Sequence, residues 1–222
     1  MGARKNAAAP VKREPLNKAR IAQAALDFID ANGLEALSTR QLGAKLGVEA
    51  MALYRHYPSK DALLDAVAEL LVLQIPVPAP GSGGWQARVK EFARAYRGLG
   101  RSHPLAYPLL ATRRFNTPRT LQLLDTLFGE LLSAGFSPAA SVELFRAVGN
   151  FSHGTALDEL AGASQAEAPS SGAAAGKAMA GLAALAKVAP YLSDTYFDQV
   201  FEAGLDIIVE GFARRQARGA GP

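Results

Sequence analysis

Residues 37–68 read LSTRQLGAKLGVEAMALYRHYPSKDALLDAVA, and the punctuation within this stretch decides the fold. Ser38 followed by Gln41 has the spacing of a capping box, which opens a short helix with Leu42 and Leu46 turned inward. Gly47 stops that helix, since glycine takes the left-handed backbone of a helix C-terminus without strain. Val48 and Glu49 alone separate it from a second short helix, expected over about Ala50 to Tyr57. Pro58 disfavours helical backbone at Tyr57 and so ends the second helix. Ser59 then caps a longer one carrying Leu63, Leu64, Val67, Leu70 and Leu71. Two short helices joined by a tight turn at Leu46-Gly47-Val48 have the spacing of a helix-turn-helix, whose second helix can enter a DNA major groove. A helical hairpin packed inside a bundle has the same spacing, so spacing alone leaves both readings open.

Working outward, apolar residues recur at helical spacing and no convincing period-2 strand pattern is found, so the expected fold class is all-α. Asn17 can cap a helix that places Ile21, Ala24, Ala25, Phe28 and Ile29 on one face and ends at Asn32-Gly33. With the two short helices it completes a three-helix DNA-binding domain over residues 16–60, followed by a connecting helix at 61–75. The run from Gln74 to Gly84, QIPVPAPGSGG, is a linker rich in Pro and Gly. Beyond it, helices are expected at about 85–101, 104–114 and 118–134, the last opened by Thr117-Pro118 and closed by Gly135. Ser137-Pro138 opens another, to about residue 160, with Val142, Phe145, Val148 and Gly149 on one side. A weak helix near 177–188 precedes a terminal one capped by Ser193 and striped by Phe197, Phe201, Leu205, Ile208 and Phe212. Residues 84–216 are thus expected to form a helical bundle for ligand binding and dimerisation. A mobile Ala/Gly/Ser/Pro-rich loop, 162–176, interrupts it, and residues 1–15 form a basic disordered leader.

The chain has 222 residues, 49% of them hydrophobic and 20% charged, with no cysteine. That is enough apolar material for a sizeable core, and it excludes a disulfide-stapled scaffold, a cysteine-ligated zinc module and a thiol enzyme. No stretch approaches the ~18 consecutive apolar residues of a membrane span, and the first residues carry no apolar signal core. A cytoplasmic protein with no membrane partner is expected. The net charge of +4 hides an asymmetry: residues 1–60 hold ten Lys/Arg against five Asp/Glu, while residues 61–222 hold fourteen against fifteen. A polyanion-binding head on a nearly neutral body would be charged in this way. A basic leader of no consequence accounts for the charge equally well.

If the hairpin enters DNA, residue types assign the roles. Glu49, Ala50, Met51 and Ala52 open the second helix, and their short or apolar side chains let it approach closely enough to touch thymine methyls. Tyr54, Arg55 and His56 follow one turn further on. Tyr54, His56 and Lys60 can bond phosphate oxygens, which fixes register without reading sequence. Arg40, beside Thr39 at the start of the preceding helix, is long enough for a bidentate grip on guanine.

These residues resemble a known family. The run from Leu37 to Ala68 is similar to the DNA-binding domain of the tetracycline-repressor (TetR) family of bacterial transcription regulators. The T-R-x-L-A-like turn, LGV, LYRHYPSK and ALL are all in register, across roughly residues 16–72. Further on, GGWQARVKEFARAYR, LLSAGFSPAASVELFRAVGNFSHGTALDE and FDQVFEAGLDIIVEGF resemble the W-Q, G-F-S, A-V-x-x-F-x-x-G and F-x-x-G-L-x-x-I-x-x-G-F patterns of the tetracycline repressors, in the same order. The resemblance implies a homodimeric repressor that binds a palindromic DNA operator and releases it when a small molecule enters the C-terminal domain. It also implies that Phe92, Tyr96, Leu110, Phe145 and Gly149 line the ligand cavity, with Asp158 near the family's acidic position. Tetracycline repressors hold a magnesium–tetracycline chelate through a histidine in the short helix before an arginine. Here that helix reads YPLLATRR and has Leu110 at that place. An apolar or aromatic effector with no metal or cofactor is therefore expected.

Independently of the resemblance, Phe92 and Tyr96 are four residues apart on one helix, as are Phe145 and Gly149 on another, so each pair can wall a cavity. Ordinary core residues share that spacing. Arg113 and Arg114 could anchor a ligand carboxylate, or form a solvated face. His103, Ser152, His153 and Asp158 raise a helical hydrolase as an alternative. Neighbours on a helix point about 100° apart, however, and no G-x-S-x-G, H-E-x-x-H or P-loop is present, so a non-enzyme is expected. A DNA-binding regulator without an effector is the other alternative, and the long C-terminal part argues against it. The helices at 138–160 and 193–213, apolar along a stripe and lightly charged, are the candidates for a four-helix interface in a homodimer.

Overall fold

Side-chain caps set the helix starts in the N-terminal quarter. In the computed structural model, which describes residues 15–76, 84–166, 182–191 and 196–219, the Asn17 side chain accepts from the Arg20 N–H at 2.8 Å and opens α1 (Lys18–Asn32). Ser38 caps α2 (Thr39–Leu46) by accepting from the Gln41 N–H at 3.2 Å, while its hydroxyl donates to the Gln41 side-chain oxygen at 2.8 Å. Each such cap stabilises its helix by about 1 kcal/mol. Gly47, with φ of +69°, closes α2 in the left-handed region. Ser59 caps α4 (Lys60–Val72) in the same way as Ser38, accepting from the Ala62 N–H.

The helix between them, α3, is shorter than its sequence suggests. It spans Ala50–Tyr54, and Arg55 and His56 lie in the turn that follows. The His56 and Tyr57 N–H groups both fold back onto the Leu53 carbonyl, which ends the helix before Pro58 constrains Tyr57. Gly43 lets α2 and α3 meet: a Cβ there would stand 2.8 Å from the Val48 carbonyl oxygen, and the Val48 N–H reaches the Gly43 carbonyl at 2.9 Å.

The remaining elements are α5 (Gly84–Ser102), a 3-10 turn at Tyr107–Leu109, α6 (Leu110–Arg113), α7 (Pro118–Ser133), α8 (Pro138–Ala166), α9 (Ala183–Val188) with a 3-10 turn at Ala189–Tyr191, and α10 (Phe197–Gly219). Every described element is helical. The continuous helix expected at 104–114 is broken into turn, 3-10 and a single α-turn. Pro108 has no N–H to give the Pro104 carbonyl, and its ring would clash with it. The expected connecting helix, 61–75, ends at Val72 and finishes in a turn to Ile75. α8 runs into the segment expected to be a loop at 162–176, as far as Ala166. The leader to Glu14, Ser193 and residues 167–176 of that loop lie outside the described residues.

The core does not divide where the sequence divides. One cluster starts with Ile21, Leu26 and Ile29 of α1, Leu42 of α2 and Leu53 of α3, and crosses Val67 and Leu71 of α4. It continues without a gap into Tyr107, Leu109, Leu110 and Leu123. A second cluster, with Trp85, Phe136, Leu144, Phe201 and Leu205, binds α5, α8 and α10 together. Each fully buried side chain of this size contributes about 1.5–3 kcal/mol. α4 therefore shares its apolar surface with the helix-turn-helix on one side and the bundle on the other. Val142, placed by the sequence on one side of α8 with Phe145, Val148 and Gly149, is exposed.

Candidate functional site

The first candidate surface is the outer side of α2 and α3. Met51 is 70% exposed and Tyr54 43% exposed, while Leu53 between them is buried and anchors α3 to the core. Arg40, Glu49 and Arg55 are exposed, and Thr39, Ala50, Ala52 and His56 are half-buried. The helix-turn-helix thus presents Arg40, Glu49, Met51, Tyr54 and Arg55 together on the outside. Lys60 departs from the expected free phosphate contact. Its ammonium donates to the Leu37 carbonyl at 2.8 Å, tying the start of α4 to the chain entering α2.

The second candidate is a pair of adjoining cavities in the bundle. One, open to the outside, lies among Trp85, Phe92, Leu127, Leu131, Phe145 and Val148. The other, a narrow cleft, is walled by Val72, Ile75, Phe92, Tyr96, Phe145 and Gly149, with Arg114 and Phe115 also on its surface. Phe92 and Phe145, with ring centroids 6.4 Å apart, stand between the two. The structure therefore brings together Phe92, Tyr96, Phe145 and Gly149, drawn from α5 and α8.

The other expected ligand residues lie elsewhere. Leu110 is fully buried in the core beside α4. Asp158 is exposed on α8. Arg113 turns away from the cavity: its guanidinium donates to Asp61 at 2.6 Å and to Asp65 at 2.9 Å, both on α4. Asn116 adds a bond to Asp65 and Arg119 one to Glu69. The chain from α6 into α7 thus grips the acidic face of α4 over two turns. Position 114, one residue further along, supplies the cavity's cation instead.

Sequence reasoning missed Val72, Ile75, Phe115 and the part His153 plays beside the cavity. The first two carry no signal of their own in the sequence, and only the fold shows that the end of α4 and the turn after it reach the cavity. Arg114 donates to the Tyr96 hydroxyl oxygen at 3.2 Å, and the Tyr96 hydroxyl lies 3.2 Å from His153 Nδ1. His153 stacks on both Tyr96 and Tyr107, with centroids 5.9 and 5.0 Å away. Burial, and then the charge of Arg114, hold the His153 pKa below the ordinary imidazole value. Burial raises both phenols, and Tyr107 lies beyond the normal phenol range. At neutral pH the histidine and both tyrosines are therefore uncharged, and the guanidinium supplies the charge of this cluster.

The hydrolase alternative finds no support in this geometry. His153 Nδ1 faces a phenol rather than a carboxylate, and the buried Ser152 hydroxyl has no hydrogen-bond partner among the described residues. His103 is bound to Asp30 and Gln74, where the end of α5 meets α1 and α4. Among the described residues no helix is long and apolar enough to cross a membrane, and no group of acidic, histidine or cysteine side chains could hold a metal.

Comparison with known proteins places both halves of the chain in one family. Residues 21–67 match the family described as bacterial regulatory proteins of the tetR family, and residues 77–215 match the tetracyclin repressor-like C-terminal domain. The class A tetracycline repressor protein from transposon 1721 of Escherichia coli is 32% identical over 201 residues, covering 88% of this chain and 90% of that protein. Among solved structures, a possible TetR family transcriptional regulator from Streptomyces coelicolor A3(2) superposes with a TM-score of 0.76 at 32% identity, over 89% of this chain and 99% of that one. The Streptomyces coelicolor TetR family protein ActR, in complex with actinorhodin, gives 0.75 at 27% identity over 94% and 100% of the two chains. With a helix-turn-helix at its head, a cavity in its bundle and both halves matched in order, this chain belongs to the TetR family of DNA-binding bacterial transcriptional regulators.

Proposed function

We propose that this protein is a homodimeric repressor that binds a palindromic operator through α2 and α3 and is released by a small aromatic effector bound between α5 and α8. Residues 16–60 form the DNA-binding head, the helix over 61–75 connects it, and residues 84–216 bind the effector and the partner subunit. The observation that carries this reading is the shared wall: Val72 and Ile75, at the end of the helix that bears the head, line the same cavity as Phe92, Tyr96 and Phe145. An occupant of that cavity touches the lever directly. The protein ActR, crystallised with actinorhodin, has the same fold and supports an effector role for the cavity.

The dimer reading rests on the outer faces of α8 and α10. Val142 and Leu157 on α8, and Val200 and Ile207 on α10, are large apolar side chains exposed to solvent. Gly154 and Gly211 have nothing near them, so a neighbouring helix could come close there. A second copy laid on this face by two-fold symmetry would bury both stripes. Its two heads would then have to reach successive major grooves, about 34–36 Å apart.

Selection from a random duplex library, followed by sedimentation of the complex, tests this reading. The expected result is an inverted repeat bound by two subunits, with Arg40, Met51, Tyr54 and Arg55 protected by the DNA. A single unrepeated half-site bound by one subunit would overturn it. A reading without any effector is favoured if no aromatic compound that binds the cavity changes operator affinity.

A further inference from the structure

Three arginines follow one another between α6 and the first turn of α7, and two are neutralised on the spot. Arg113 is paired with Asp61 and Asp65, and Arg119 with Glu69. Arg114 faces the other way. Among the described residues no carboxylate lies within ion-pair distance of it, and its hydrogen-bond partner is the uncharged Tyr96 hydroxyl. Its guanidinium also stands 5.8 Å from the centroid of the Tyr96 ring.

We propose that Arg114 anchors an anion in the smaller cavity, and that the effector is a planar aromatic carboxylic acid. Its carboxylate would sit on the guanidinium, and its ring among Phe92, Tyr96, Phe115 and Phe145. This deepens the effector reading above and rests on it. A half-buried cation among aromatic walls is poorly solvated, and a carboxylate offsets that loss where a neutral ring does not. A guanidinium also presents paired N–H groups that match the two oxygens of a carboxylate, which a point charge does not.

The surroundings favour the approach of such a group. At Gly149 the facing helix α8 has no side chain, and a Cβ there would stand 3.8 Å from Arg114 Nη1. Any larger residue would cover the cation. Behind it, Arg114 donates to the Tyr96 hydroxyl oxygen, and that hydroxyl also lies 3.2 Å from His153 Nδ1. The Tyr96 hydroxyl is thus engaged within the protein on both sides, and the guanidinium is left to offer a ligand N–H donors and a positive field, which suits an anion. The clamped Arg113 immediately before it fixes the backbone from which Arg114 projects.

Titration calorimetry on the full-length protein tests the proposal, with benzoate, 1-hydroxy-2-naphthoate and anthraquinone-2-carboxylate each paired with its primary amide. At least one acid should bind about tenfold or more tightly than its amide. Arg114→Met should remove that preference, weakening the acid about tenfold while leaving the amide within about threefold. Arg114→Lys, which keeps the charge but not the fork, should retain a weaker preference. The comparison of acid with amide on the unaltered protein stands even if a variant fails to fold. Acids that bind no better than their amides, or an Arg114→Met protein that loses both equally, would overturn the proposal. The same titrations with operator DNA present separate the two readings. Release by an amide but not by its acid keeps the effector role and removes the anionic one. Release by neither, with both bound in the cavity, removes the effector role as well.

Discussion

Replacing Arg113 by Met tests how the body holds the lever. The substitution removes the bonds to Asp61 and Asp65 on α4 but keeps the length and most of the apolar stem. The Asp65 partner is the important one: its side chain is 28% exposed and that of Arg113 23%, whereas the Asp61 side chain is 77% exposed. A charge-assisted bond in the partly buried pair is worth about 1–1.5 kcal/mol, and the exposed pair adds roughly 0–0.5. The loss of about 1–2 kcal/mol corresponds to a melting temperature lower by roughly 2–8 °C for a chain of this length. Calorimetric melts of the wild type, Arg113→Met, Asp65→Asn and the double variant give the pairwise term directly. In 1 M salt, where screening acts over about 3 Å, the Asp61 share should vanish and most of the Asp65 share remain. A coupling under about 0.3 kcal/mol, or one that salt abolishes entirely, would refute the claim that this clasp holds α4.

The remaining expectations concern the head, the bundle and pH. Arg40→Ala should cost about 1–3 kcal/mol at the selected operator and less on random duplex, and equal losses on both would reassign Arg40 to phosphate contact. Lys60→Ala should lower the melting temperature as well as DNA affinity, because its ammonium is bonded to the Leu37 carbonyl; an unchanged melt would return it to a purely phosphate role. Arg97 is 5% exposed, bonded to Glu159 and Asp198 with its guanidinium 4.4 Å from the Phe201 ring centroid, so Arg97→Ala should cost about 3 kcal/mol, measured by denaturant unfolding. Arg101 still pairs with both Glu159 and Asp198 in that variant, so the cost is the lost packing and bonding of the buried guanidinium. Burial holds the His153 pKa down in the folded chain, so as pH falls below about 6.5 the unfolded chain takes up the proton first and stability drops. His153→Gln should flatten that part of the melting curve against pH, and an unaltered slope would remove His153 as its source.

What the sequence revealed and what it withheld follows from the range of the interactions involved. Asn17, Ser38, Ser59 and Thr117 could be read as caps because a cap bonds a backbone N–H only three residues on. Gly47 and Gly135 were legible as stops for the same reason, each with a positive φ at the close of a helix. The pairs Phe92 with Tyr96 and Phe145 with Gly149 showed in the spacing, since a wall built on one helix face is a local pattern. By contrast, nothing local distinguishes Arg113 from Arg114. They point about 100° apart on a helical turn, and only the position of Asp61 and Asp65, about fifty residues earlier in the chain, decides which of them faces a partner. The bond from Lys60 to Leu37, and the arrival of Val72 and Ile75 at the cavity, are likewise set by how α4 lies across the bundle. The early end of α3 was missed because the pattern LYRHYP carries helix-forming residues up to its proline, while both the His56 and Tyr57 N–H groups turn back to Leu53.

On the proposed reading, the clasp also bounds the strength of the switch. A ligand that repositions Arg114 and Phe115 moves the backbone of Arg113, and α4 follows only as long as following costs less than breaking the bonds to Asp61 and Asp65. A clasp of about 2 kcal/mol can therefore carry at most a factor of roughly thirty in operator affinity. That value falls inside the range of about 5–150-fold over which couplings of ~1–3 kcal/mol act. A larger demand would peel α6 away and leave the head where it was. Asn116 and Arg119 raise the ceiling slightly by holding Asp65 and Glu69 along the same face. The apolar contact through Val72 and Ile75 gives the ligand a second hold on the far end of the helix. With one hold near Asp61 and the other near Val72, an occupied cavity turns α4 about a point between them, where Val67 and Ala68 are fully buried. Rotation about a packed centre disturbs that core less than translation would, and it gives the largest displacement at the end of α4 nearest α3.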